Sequence, residues 1–158
     1  MKNEAYFLKY AFPCAFITLQ RGGIDKKTYD RLEKAAVAGR ALPRKLLEKV
    51  FAAAFRRMKV LAKEMKCGVW DLKLIREYYW IRHNQLIREG EGSYRFAPPA
   101  LKKLCRVLPA RVEKVRGKTA IVKFKSGGRR PVMTDLTGPL KKGDRVMVHY
   151  GYAVEKKI

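Results

Sequence analysis

ARVEKVRGKTAIVKF, Ala110 to Phe124, is the stretch that decides how the last third of this chain folds. Ala110–Val115 and Thr119–Phe124 each read as a short strand, with Gly117 in the turn between them. In the second, Ala120, Val122 and Phe124 fall on one face, the period of two that a half-buried strand requires. Working toward the C-terminus, Arg129–Met133, Arg145–Tyr150 and Ala153–Glu155 continue the pattern, separated by Gly127-Gly128, Gly138 and Gly143-Asp144. In the fourth strand, Val146, Val148 and Tyr150 are expected on one face and Met147 and His149 on the other. Five short strands closely spaced predict a partly closed β-barrel of the OB type.

Working the other way, the period changes. Ala100–Cys105 is a short basic approach to the barrel, and Gly90–Pro99 reads as a connection, with Pro98-Pro99 resisting helix and strand. Everything earlier reads as helix. Asp25 is placed to cap a helix through Tyr29, Leu32, Ala35 and Ala36, stopped by Gly39. Pro43 then stands at a helix start, followed by Leu46, Leu47, Val50, Phe51, Ala54, Phe55, Met58, Leu61 and Met65. That spacing predicts one apolar stripe on one helix closed by Gly68, with Arg56, Arg57, Lys59, Lys63 and Lys66 on the other side. A last helix is expected from Trp70 to Arg88, ended by Gly90 and Gly92. The sequence therefore predicts an α+β chain: a basic helical domain over residues 1–92, a linker over 93–103 and a five-stranded OB-like barrel over 104–158.

Charge is the outlier of the composition. The chain carries 37 Lys and Arg against 14 Asp and Glu, a formal net charge of +23, spread along its whole length. A field of that sign attracts polyanions, whether nucleic acid, acidic lipid or an acidic protein partner. Cys14, Cys67 and Cys105 stand far apart without a CxxC pair, which argues against a disulfide framework and a Cys-based structural zinc site. The longest uncharged run, Tyr10–Gln20, is too short to cross a bilayer and contains Pro13, so a buried N-terminal helix and a cytoplasmic protein without membrane contact are expected. No P-loop, HExxH or GxSxG pattern occurs, the two histidines leave few acid–base candidates, and enzymatic activity is not expected.

Three blocks in the final segment carry a resemblance. The first is Leu104-Cys105-Arg106-Val107-Leu108-Pro109-Ala110-Arg111-Val112. The second is Gly128-Arg129-Arg130-Pro131-Val132 followed by Asp135-Leu136. The third is Gly143-Asp144 with Val148-His149-Tyr150-Gly151-Tyr152-Ala153. In this order and spacing they resemble the HypC/HupF hydrogenase-maturation chaperones, over about the last third of the chain. The resemblance implies that Cys105, helped by His149, holds or hands over an iron centre as a transient ligand, with no cofactor tightly bound. It also implies a HypD-like maturation protein or a hydrogenase large-subunit precursor as partner, with Pro109 shaping the contact segment. A thiolate is a suitable soft ligand for low-valent iron, and Lys102, Lys103 and Arg106 flank Cys105 in a way that favours that form. Two alternatives remain for the same residues: Cys105 as a small buried hydrophobe, and His149 as a strand histidine fixed by the backbone. Here Leu104 replaces the family's initiator Met, so Cys105 has a peptide N–H where the family has a free amine.

A second function competes. OB-type barrels often bind nucleic acid through cations and aromatics on one face, and Lys123, Lys125, Arg129 and Arg130 surround a glycine turn. In the helical domain, Arg76, Tyr79, Trp80 and His83 fall at helical spacings and, with Arg82 nearby, would present an aromatic and cationic platform. The alternative is an amphipathic helix with its aromatics in the core.

Overall fold

The computed structural model describes residues 1–157. The described chain divides into two compact units, the first over Met1–Arg82 and the second beginning at His83. Helices fill the first and a closed five-stranded barrel dominates the second, the α+β architecture the sequence predicts.

In the first unit, α1 spans Asn3–Ala11 and α2 Ala15–Gln20, joined by the 3-10 turn Phe12–Cys14 that Pro13 permits. α3 covers Lys26–Val37, where the Asp25 carboxylate accepts from the Thr28 N–H at 2.7 Å and Gly39, at φ +61°, ends the run. The single helix expected after Pro43 is two, α4 (Arg44–Val50) and α5 (Ala52–Glu64). The break falls at Phe51, whose φ of −105° and ψ of 38° leave the helical region. Its ring nevertheless packs inward, 5.7 Å from Phe7, so burial of the aromatic outweighs helix continuity. Phe7 is the centre of this core, ringed also by Phe55, Trp70 and Tyr79 at 4.9 to 5.9 Å.

The expected Trp70–Arg88 helix is likewise interrupted. α6 runs Leu72–Glu77, a π-helical turn occupies Tyr78–Arg82, and α7 is His83–Glu89, which opens the second unit. A π turn holds more residues per turn, so spacings of three and four no longer define one face there. Tyr78 and Tyr79 are consequently both buried side by side.

In the second unit, α8 spans Pro99–Cys105. Pro99 is thus helical, a correction to the expectation that the proline pair resists helix: at the first position its missing N–H has no intrahelical partner to lose. The strands are β1 (Leu108–Arg116), β2 (Thr119–Phe124), β3 (Arg129–Met133), β4 (Arg145–His149) and β5 (Tyr152–Lys157). Their order around the barrel is β1-β2-β3-β5-β4, closing on β1. All neighbours are antiparallel except β3 and β5, which pair in parallel at Met133 and Tyr152. Ala110, Val112, Ala120, Val122, Val132, Val146, Val148 and Ala153 fill the interior, small side chains suited to a narrow barrel. β4 departs from the expected alternation, since Met147 and His149 are buried along with Val146 and Val148. Tyr150 lies beyond the strand at φ +55° and does not continue its inward face.

No helix among the described residues is long and apolar enough to cross a membrane, and Cys14, Cys67 and Cys105 form no disulfide.

Candidate functional site

One residue from each of the three C-terminal blocks meets at a single turn. Between β4 and β5, His149-Tyr150-Gly151-Tyr152 reverses the chain, and Tyr150 adopts a left-handed backbone that a bulky residue rarely accepts. Such strain persists only where the surroundings over-determine it. Three hydrogen bonds do so. The Tyr150 N–H donates to the Leu104 carbonyl at 3.0 Å, the Arg130 guanidinium donates to the Tyr150 carbonyl at 2.8 Å, and the Met133 N–H donates to the Gly151 carbonyl at 2.8 Å. Leu104 lies in α8, Arg130 in β3 and Tyr150 after β4, so the three sequence blocks, far apart along the chain, meet here.

A second clamp holds the segment after Cys105. Asn84 of α7 accepts from the Val107 N–H through Oδ1 and donates to the Val107 carbonyl through Nδ2, each at 2.8 Å. One side-chain amide thereby satisfies both buried backbone groups of Val107, just where α8 has ended and β1 has not begun. The chain leaves the helix at Arg106 in extended conformation.

Cys105 closes α8 and is 1% exposed, and His149 is 0% exposed. Neither side chain is therefore presented at the surface. Burial pushes the Arg130 guanidinium down, with the charge of Arg106 acting the same way and Cys105 opposing it, which puts both residues within electrostatic reach of Arg130. The His149 ring meets the His83 ring edge to face at 5.1 Å between centroids, and His83 Nε2 lies 3.5 Å from the Tyr94 hydroxyl. Pro109, by contrast, is exposed on β1 opposite Met147 of β4.

The other candidates separate. Lys123, Lys125 and Arg129 are exposed on the barrel, whereas Arg130 is half-buried, its guanidinium 5.0 Å over the Phe124 ring. In the helical unit, Tyr79 is a core residue, stacked on Tyr10 at 5.2 Å, and its ring offers no platform for bases. Arg82 is paired with Glu64 at 2.8 Å, and Arg76 lies over the rings of Tyr6 and Trp80. The Trp80 indole N–H donates to the Tyr10 hydroxyl at 2.9 Å. These aromatics and cations hold the first unit together.

Residues 104–157 match the HupF/HypC family. The matched region begins at Leu104 in α8 and covers the whole barrel, about a third of the chain. No family model matches the helical unit over residues 1–82. No curated protein matches the chain.

Two features of the site are absent from the sequence reading. No local signal marks Asn84, because its partner is the backbone of Val107 rather than another side chain. The alignment of Arg111, Arg145 and Lys157 with Lys123 is set by strand register, which has no local signal.

Proposed function

We propose that this chain is a non-enzymatic accessory protein of the HypC type, which docks a partner protein during assembly of a nickel-iron hydrogenase metallocentre. The observation that carries the reading is the meeting of the three family blocks at the Tyr150 turn, inside a barrel whose whole length matches the HupF/HypC family. The partner is a HypD-like maturation protein or a hydrogenase large-subunit precursor. The iron centre is cargo, and Cys105 is its transient ligand beside the cationic Arg106 and Arg130. Because Cys105 is buried, access to its sulfur requires the C-terminal end of α8 to open. That is a small step for a helix of 7 residues, which has little stability of its own. Opening breaks the hydrogen bond from the Tyr150 N–H to Leu104, while the Arg130–Tyr150 hydrogen bond keeps the turn in place.

The test is a pull-down from nuclease-treated native extract at moderate salt, comparing the native chain with Cys105→Ala. Recovery of a maturation protein or hydrogenase precursor by the native chain, lost with the variant, is the expected result. Absence of any such partner, with all captured material released by nuclease and the variant behaving like the native chain, overturns the reading in favour of nucleic-acid binding.

A further inference from the structure

The register of the barrel aligns one cation from every strand. Arg129 of β3 is opposite Lys123 of β2, Lys123 is opposite Arg111 of β1, Arg111 is opposite Arg145 of β4, and Arg145 is opposite Lys157 of β5. Like charges directly opposed across strands destabilise a sheet, so an unbroken row of five runs against folding. Glu113 relieves it at Arg129, one end of the row. Glu113, thrown out of register by a bulge between Val112 and Lys114, is held by the Arg129 guanidinium at 2.7 and 3.3 Å. Asp135 pairs with Lys118 at 3.2 Å and Asp144 with Lys156 at 2.8 Å. Among the described residues, no carboxylate forms a salt bridge with Arg111, Lys123, Lys125 or Arg145.

The row borders an open groove of about 590 Å³. Pro109, Ala110 and Phe124 supply apolar lining, Arg111, Lys123, Lys125, Arg145 and Lys157 supply positive charge, and Glu113, bonded to Arg129, is the one carboxylate among them. Apolar surface flanked by cations on this scale fits an extended ligand that carries both carboxylates and apolar side chains. β1, β2 and β4, which carry Arg111, Lys123 and Arg145, are each paired on both sides, so a ligand there is read by side chains rather than added as a strand. Nucleic acid fits less well. Stacking successive bases needs several aromatic faces along the strand, and the groove lining holds a single aromatic, Phe124.

We propose that this groove binds an acidic segment of a protein partner, with carboxylates on Arg111, Lys123 and Arg145 and an apolar side chain against Pro109 and Phe124. It rests on the docking role proposed above only in making the partner a protein, since the chemistry is read from the groove itself.

The experiment measures fluorescence anisotropy of the full chain against three labelled probes: a short peptide alternating Glu and Leu, the same peptide with Gln for Glu, and a single-stranded oligonucleotide. The Glu peptide should bind, the Gln peptide at least about tenfold more weakly, and binding should weaken as salt rises. Arg111→Glu with Arg145→Glu should lower affinity at least about tenfold, while Lys59→Glu on the helical unit should leave it unchanged. The double Gln variant, checked for an intact thermal transition, serves if charge reversal prevents folding. Equal binding of the two peptides, indifference to the row variants, or tighter binding of the oligonucleotide than of the Glu peptide each overturns the assignment. Capture of a maturation partner from extract that survives the row variants sinks the groove and leaves the docking role intact. Peptide binding at the row with no such partner in extract does the reverse.

Discussion

At the scale of single residues, Tyr150 shows how the barrel holds its own strain. An L-residue at φ +55° costs roughly 1 kcal/mol that glycine does not incur. Tyr150→Gly should therefore be more stable than Tyr150→Ala by about 1 kcal/mol, the reverse of the usual order in extended chain. Equal denaturation midpoints for the two variants would show that the turn relaxes instead. Asn84 makes the complementary case. Its amide satisfies both backbone groups of Val107, and Asn84→Ala leaves a buried donor and a buried acceptor without that partner. A loss of about 2–4 kcal/mol is expected, read as a lower midpoint in urea with an unchanged slope. The sequence offered no route to either residue's role. Tyr150 looked like the next inward residue of a strand, and nothing local marks an asparagine that will bond a backbone 23 residues away.

Among elements, the five strands were legible because alternation of Val and Ala with charged residues is local, and each observed strand overlaps the expected one. The helices were less so. An apolar stripe specifies which face is inward but not whether the backbone is continuous, so the break at Phe51 and the π turn at Tyr78–Arg82 escaped it. Cross-strand register has no local signature either, and it is register that turns scattered cations into a row. Replacing one member of that row should therefore stabilise the barrel. Arg111→Gln removes a like-charge opposition to both Lys123 and Arg145, and thermal unfolding should show a gain on the order of 0.2–1 kcal/mol, shrinking as salt is raised.

For the molecule as a whole, +23 in 158 residues means that the folded state works against its own field. Raising ionic strength within the screening range should raise the thermal midpoint, checked with a neutral osmolyte as control. Acid should act the other way. Glu4 is held below the ordinary carboxylate range chiefly by Arg44, Glu113 by Arg129, and Asp144 by Lys156. Groups whose folded value is depressed contribute stability above the unfolded carboxylate value, near 4, and lose it as pH falls through the folded one. Protonating them also raises a positive charge that is already large. The unfolding midpoint should thus decline as pH drops below about 4. Glu113→Gln with Asp144→Asn should flatten that decline, as titration followed by circular dichroism would show.

What the sequence determined by itself is what depends on neighbours along the chain: helices before a barrel, the strand positions, the Asp25 cap, the excess of cations and the match of residues 104–157 to the HupF/HypC family. What only the tertiary structure decided depends on residues far apart in sequence. Closure of the barrel set the burial of Cys105 and His149, drew Leu104, Arg130 and Tyr150 to one turn, and aligned Arg129, Lys123, Arg111, Arg145 and Lys157. The reason is physical: periodicity records which side of an element faces inward, whereas pairing partners and burial arise only when elements from separate stretches of chain close around a shared core.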